Sequence, residues 1–354
     1  MDVEQILKKA IEDKVSDIFI VAGTTIAFKK SGQIYSFGEK ILNPSDTEDL
    51  IQQIYSLATG INKSFDTLKQ YGEDDFSFSL SRLGRFRVNT YFQRGSIAAV
   101  MRVVRFDLPD PKEYHIPSAV IDLANLNNGL VIITGPTGSG KSTTLACIVD
   151  QINKTKRDHI ITIEDPIEYL HRHNKSIVSQ REVGHDTKDY ITALHAALRE
   201  APNVILVGEM RDLETVSVAL NAAETGHLVL SSLHTLGAAE TISRIIDIFP
   251  PNQQEQIRVQ LTMSLQAVVS QQLLPGKDGS MVPCFEIMKS IPAVKTLIRD
   301  NRLHLLDNTI LQNKDIGMLS MDDSILQMYR DGFIDKDVAL QYSFNKALMA
   351  KKLD

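Results

Sequence analysis

The stretch from Gly129 to Thr143, Gly-Leu-Val-Ile-Ile-Thr-Gly-Pro-Thr-Gly-Ser-Gly-Lys-Ser-Thr, constrains this chain more than any other. Leu130–Ile133 is an apolar run with the length and character of a buried parallel strand. It leads into Gly135-x-x-x-x-Gly140-Lys141-Ser142, the full phosphate-loop pattern, and then into a segment with helical spacing at Leu145, Ile148, Val149 and Ile152. Glycines let the backbone curl until its N–H groups converge on phosphate oxygens, and the helix that follows adds its positive end. Gly135, Pro136, Thr137, Gly138, Ser139, Gly140, Lys141, Ser142 and Thr143 are therefore expected to hold a nucleoside triphosphate. Lys141 would reach the β- and γ-phosphates, and the Ser142 hydroxyl would ligate Mg²⁺.

With 354 residues the chain is long enough for two domains with separate cores. No apolar run approaches a membrane span, and Met1-Asp-Val-Glu-Gln lacks the basic and apolar regions of a signal peptide. Any work at a membrane is then expected from the cytoplasmic side, through partners. Cys147 and Cys284 are the two cysteines and form no C-x-x-C pair, so core packing is expected of Cys147 rather than a disulfide or zinc site. A net charge of −6 weighs against nucleic acid as the main ligand.

Val3, Ile6, Leu7, Ala10 and Ile11 mark a first amphipathic helix, and β-type runs follow at Asp17–Val21, Thr25–Phe28 and Gln33–Phe37. Helical spacing returns between Ser45, read as an N-cap, and Leu57. Alternating runs at Phe76–Leu80, Arg85–Tyr91 and Ala98–Val104 complete a small α+β domain. The three prolines and the charges of Asp107–Pro117 predict an exposed linker. Beyond it, strands and helices alternate to about Met288, the signature of a mostly parallel sheet covered on both faces. Expected strands are Leu130–Thr134, Ile160–Ile163, Val204–Val207 and Leu228–Ser232. Val268–Leu274 and Met281–Ile287 then flank a turn, and the chain from Pro292 reads as helical.

Two strand ends carry acids. Glu164, Asp165 and Glu168 follow Ile160–Ile163, where α/β sheets bind ligands, and so close to a triphosphate they suit metal positioning or water activation. Val204–Val207 leads through Gly208 to Glu209, a Walker B arrangement with glutamate in place of the usual aspartate. Direct Mg²⁺ ligation and a water-mediated or base-like role are both open for Glu209. Asp212 is expected to cap the next helix. His227 and His234 bracket Leu228–Leu233, which places His234 at the ligand edge and His227 at the opposite one. Arg85, Arg87, Arg94, Arg102 and Arg105 form either a charged sheet face or a source of arginine fingers.

Assembled, these motifs resemble those of the secretion-type hexameric ATPases, most closely the type IV pilus retraction, or twitching motility, ATPases. The similarity runs from about Ser16 to near the C-terminus. It rests on the phosphate loop, on Ile163-Glu-Asp-Pro-Ile-Glu168 (like the family's Asp box), on Gly208-Glu209, and on Thr225–Thr235 (like its His box). Arg181-Glu-Val-Gly184 and Ser270-Gln-Gln-Leu-Leu-Pro275 match as well. The resemblance implies an α/β chain with a PAS-like N-terminal domain over residues 1–106, a hinge over 107–117 and a RecA-like ATPase domain over 118–354, helical from about 292. It implies a homohexameric ring that uses ATP and Mg²⁺, with Glu168 as catalytic glutamate, Glu209 as Walker B glutamate, His227 and His234 as the His-box pair, and Arg87 and Arg102 as the arginines that approach the nucleotide. The expected partner is an inner-membrane pilus platform protein, engaged from the cytoplasmic face, with no stable nucleic acid.

Retraction rather than assembly is favoured by the lack of a tetracysteine motif and of a long extra N-terminal region. It is favoured also by Ile291-Pro-Ala-Val-Lys-Thr-Leu-Ile-Arg299, which is similar to a segment the family needs for retraction, with Val294-Lys295 in place of Ile-Arg. A pilus-assembly or type II secretion ATPase, a nucleic-acid translocase and a nucleotide-gated switch are the alternatives.

Overall fold

A computed structural model describes residues 2–30, 32–58, 64–80, 83–104 and 108–353; Arg105 and Asp107 lie outside the described residues. Contacts divide the chain into two units, Met1–Leu108 with Glu168–Leu170, and Pro109–Ile167 with His171–Asp354.

In the first unit, α1 (Val3–Glu12) buries Val3, Ile6, Leu7 and Ala10, the face read from its spacing. Strands β1 (Asp17–Ile20), β2 (Ile26–Lys30), β3 (Gln33–Phe37), β4 (Glu73–Leu80), β5 (Gly84–Gln93) and β6 (Ser96–Val104) make one antiparallel sheet in the order β3-β2-β1-β6-β5-β4. Helix α2 (Pro44–Leu57) begins one residue before its expected cap, Ser45. Asn43 caps it instead: its side chain accepts the Asp46 N–H at 2.9 Å, and the Asp46 carboxylate accepts the Asn43 N–H at 3.0 Å. That reciprocal pair satisfies two otherwise unpaired donors, and Pro44 fits the first helical position because no N–H is needed there. Helix α3 (Phe65–Tyr71) carries no hydrophobic period in the sequence, because only Leu68 of its seven residues is buried.

The second unit holds seven strands in the order β13-β12-β7-β11-β10-β8-β9. They are β7 (Gly129–Thr134), β8 (His159–Glu164), β9 (Ile177–Glu182), β10 (Val204–Val207), β11 (Leu228–Leu233), β12 (Leu265–Pro275) and β13 (Met281–Lys289). All pairs are parallel except β12–β13. Successive residues of a strand feed opposite cores. Leu130 and Ile132 pack on one face, while Val131 and Ile133 pack on the other. Ile205 and Val207 likewise oppose Val204 and Leu206. Burial on both sides is why these strands read as unbroken apolar runs. The strand missing from the sequence reading, β9, is an edge strand with Ser179, Gln180 and Arg181 half-exposed, so it carries no such run.

One face is covered by α6 (Tyr190–Ala197), α7 (Leu213–Glu224), α8 (Ala238–Asp247), α9 (Gln254–Ser264), α10 (Pro292–Arg299) and α11 (Leu306–Gln312), the other by α4 (Ser118–Ile121) and α5 (Lys141–Thr155). Helices α12 (Met321–Arg330), α13 (Lys336–Tyr342) and α14 (Lys346–Leu353) form a smaller core with Leu274, Val282 and Cys284. Asp212 caps α7, accepting the Thr215 N–H at 2.8 Å. Residues 110 and 112–115 are exposed as the prolines and charges predict, whereas Pro109 and Ile116 are buried; the buried Cys147 thiol donates to the Pro109 carbonyl at 3.5 Å.

Strand β12 sets the conformation at the end of β7. Ser270 stands opposite Thr134, and the next residue, Gln271, projects its carbonyl at Gly135. A Cβ at position 135 would lie 2.1 Å from that oxygen and 2.7 Å from Ser139 Oγ, and the backbone there has φ +148°. Gly135→Ala is expected to cost about 2–4 kcal/mol in a urea titration. A stabilisation of up to about 1 kcal/mol, as Gly-to-Ala changes give where the backbone and space allow alanine, would contradict this packing.

On β13, buried Glu286 accepts the Ala238 N–H at 2.8 Å and so caps α8, whose own N-cap residue, Gly237, has no side chain. Burial pushes its carboxyl up to about 7 from the ordinary 4.5, with the Asp307 charge adding and the backbone hydrogen bonds from Ala238 and Met321 opposing. The folded protein holds this proton more tightly than the unfolded chain, so its stabilising effect is complete below about pH 4.5 and is lost as pH rises to about 7. Glu286→Gln is expected to remove a fall in stability of on the order of 3 kcal/mol across that window, read from urea midpoints at several pH values. An unchanged pH slope would refute it.

Candidate nucleotide-binding and hydrolysis site

Strand β7 ends at Thr134 and α5 begins at Lys141, so the loop 135–140 lies at the carboxyl edge of the parallel sheet. That is the edge at which α/β sheets take ligands. Gly138 and Gly140 hold left-handed backbone, φ +79° and +86°, which turns the loop tightly into the helix. Lys141 is 9 % exposed, and its ammonium donates to the carbonyls of Gly135 at 2.8 Å and Pro136 at 3.0 Å, inside the curl of the loop. Ser139 Oγ is buried and, among the described residues, has no hydrogen-bond partner. A curled glycine loop, an inward lysine, an orphaned hydroxyl and a helix N-terminus together form a donor set that suits phosphate oxygens.

Two sequence-predicted residues from neighbouring strands join this loop. His234, one residue past β11, brings Nδ1 within 3.5 Å of both Lys141 Nζ and Thr137 Oγ1. Its Nε2 lies 3.4 Å from the carboxylate of Glu209, which follows β10. Arg211 closes on the same Glu209 oxygen at 2.6 Å. Lys141, His234 and Glu209 thus form one chain of contacts across three adjacent strands, β7, β11 and β10. Beside them, burial holds the Tyr190 phenol protonated well above its ordinary range, and the carboxylates of Glu209, Asp165 and Glu164 add to that effect. The acids at the ends of β8 and β10 therefore share one electrostatic neighbourhood. Glu164 accepts from Thr162 Oγ1 at 2.6 Å and from Gln180 Nε2 at 3.3 Å.

Glu168 is exposed and heads the three-residue stretch that counts with the first unit. The backbone just before it is pinned. Ile167 is buried, and its N–H donates to Glu182 Oε2 at 3.1 Å; the other Glu182 oxygen lies 3.4 Å from His185 Nε2. His227, Arg87 and Arg102, also expected at the site, each make contacts within their own unit. His227 precedes β11 at the amino edge, where Nδ1 lies 3.0 Å from the Ala222 carbonyl and its own carbonyl accepts the Gly129 N–H. Arg87 pairs with Asp75 at 2.9 Å and Arg102 with Asp17 at 3.3 Å; the two arginines are cross-strand neighbours in the first unit's sheet.

Sequence reasoning missed the other side of the phosphate loop. A cavity of about 360 Å³ opens there, lined by Gly140, Thr143 and Thr144 on the loop side and by Gln271, His115 and Phe333 among others. The His115 and Phe333 rings lie 4.8 Å apart at 58°. Its size and mixed apolar and polar lining suit part of a small ligand. Its walls come from four stretches, residues 113–116, 140–144 and 271–283 and Phe333, and no local sequence pattern joins them.

Comparison with known proteins agrees with this geometry. The sequence pattern of the family described as Type II/IV secretion system protein matches residues 1–281. A type IV pilus retraction ATPase, PilT, of Pseudomonas aeruginosa is 39 % identical over 96 % of this chain and 97 % of its own length. A twitching motility protein of Neisseria gonorrhoeae is 46 % identical over 78 % of this chain and 75 % of its own. Among solved structures, the pilus retraction motor PilT with bound ADP superposes with a TM-score of 0.87 at 45 % identity, covering 99 % of both chains. An α/β P-loop ATPase fold, with the His234 and Glu209 side chains gathered at its phosphate loop, and similarity over nearly the whole length place this chain in the type II/IV secretion ATPase family, among its pilus retraction ATPases.

Proposed function

We propose that this chain is a Mg²⁺-dependent ATPase that works as a homohexameric motor, drawing in type IV pili from the cytoplasmic face of the inner membrane through a platform protein. The observation that carries the chemistry is the contact chain Lys141–His234–Glu209 at the carboxyl edge of the sheet. Binding comes from the phosphate loop, whose backbone N–H groups and Lys141 neutralise the β- and γ-phosphates. When bound, Mg²⁺ supplies Lewis acidity at the phosphoryl oxygens, and Ser142 and Glu209 are the residues that would hold it, Glu209 directly or through a water. His234 stands beside Lys141, in place to donate to the γ-phosphate. Glu168 takes the proton of the attacking water, and the Glu182 bond to the Ile167 N–H limits how far that segment can wander.

Arg87 and Arg102 are the arginines proposed to approach the transferred phosphoryl, exchanging Asp75 and Asp17 for it. His227, at the far edge of its own sheet, fits a role toward a neighbouring copy better than one at its own phosphate loop. Among the described residues no helix is long and apolar enough to cross a membrane, so membrane attachment is assigned to the partner.

The test is steady-state ATP turnover of the purified chain and of Glu168→Gln, with each particle's mass taken by light scattering. Wild type is expected to turn over ATP as a six-chain particle. Glu168→Gln is expected to bind ATP with unchanged affinity and hydrolyse it at least about 100-fold more slowly. Turnover in the mutant near the wild-type rate would remove Glu168 from the mechanism.

A further inference from the structure

Gln271 carries more than the backbone carbonyl that meets Gly135. Its side chain is buried, 3 % exposed, on the α5 face of β12. Oε1 accepts the Thr144 hydroxyl at 2.7 Å, which fixes the orientation of the carboxamide. Nε2 is then aimed at the phosphate loop: a Cβ on Gly140 would lie 2.9 Å from it. Among the described residues this nitrogen donates no hydrogen bond, yet Gln271, Gly140 and Thr144 all line the cavity beside the loop. Two N–H donors in a buried side chain carry a desolvation cost until something accepts from them. The neighbouring Gln272 is also buried, but its Nε2 lies outside the cavity lining, whereas Gln271 opens onto it.

We propose that Gln271 is a nucleotide-contacting residue that selects for the nucleoside rather than for the phosphates. Thr144 holds its carboxamide so that Nε2 donates into the cavity, to an acceptor on the ribose or the base of a nucleotide whose phosphates sit in the loop. Gly140 is glycine partly because a side chain there would occupy the space of that donor. The proposal rests on the reading of the loop as a nucleotide site and goes beyond it in naming what recognises the nucleoside half.

Equilibrium binding of a fluorescent ADP, with inorganic pyrophosphate as competitor, separates this role from a purely structural one. Gln271→Ala and Gln271→Glu are each expected to weaken ADP binding about tenfold, since one hydrogen bond from an enclosed donor is lost. Their affinity for pyrophosphate, which lacks a nucleoside, is expected to stay within about twofold of wild type. Thr144→Val, which frees the carboxamide to rotate, is expected to lie between wild type and Gln271→Ala for ADP, again with pyrophosphate unchanged; it provides the test if the Gln271 variants fold poorly. Unchanged ADP affinity in folded Gln271→Ala overturns the proposal. So does an equal loss for ADP and pyrophosphate, which would make Gln271 only a brace for the loop. A wild-type chain that binds no ADP would instead refute the nucleotide site itself, and this role with it.

Discussion

The oxygen of Gln271 occupies the space that any side chain at position 135 would need. Much of the site follows from that one close approach. Because β12 runs parallel to β7 and reaches past its end, the chain leaving Thr134 cannot continue as strand with a side chain. It must turn, as glycine, into the loop that curls around Lys141. The loop is thus shaped partly from outside, by a neighbouring strand, and its geometry is as rigid as the sheet that carries β12. A phosphate site built this way is preorganised, with less ordering left for binding to supply.

The same sheet spaces the chemistry. Parallel strands end in register, so residues just past β7, β10 and β11 arrive side by side about 5 Å apart. Lys141 follows β7 by way of the loop, Glu209 follows β10 and His234 follows β11; a cation, a carboxylate and an imidazole therefore meet without any being adjacent in sequence. Buried strands on both sides keep those ends from shifting, at roughly 2 kcal/mol for each fully buried Ile, Leu or Val. Glu286 extends this order to α8, the helix that follows His234, by accepting its first N–H from β13.

How much of this the sequence disclosed depended on how local the cause was. The apolar strands, the phosphate loop and the Asp212 cap each rest on a few consecutive residues, and they stand where they were expected. Asn43 displaced Ser45 as a cap because the deciding partner was Asp46, whose carboxylate reaches back to the Asn43 N–H; a hydroxyl at 45 merely hydrogen-bonds the cap. Strand β9 escaped because an edge strand needs no double burial, and α3 because seven residues with one buried side chain have no period. The placement of His227 away from the phosphate loop was legible, since it lies at the opposite end of β11 from His234. Gln271, Glu182 and the cavity walls were not legible as site parts. Their meaning arises from contacts across 127 positions for Gln271 with Thr144 and 15 for Glu182 with Ile167, and no local pattern encodes either.

The proposed ATPase requires that the loop braced by β12 bind one nucleotide per chain through Lys141. Calorimetric titration of ADP into the purified protein and into Lys141→Ala decides this. A single site per chain is expected in the wild type, with loss of measurable heat in the mutant at the same concentrations. Binding of equal stoichiometry and affinity in Lys141→Ala would contradict it and place the nucleotide elsewhere.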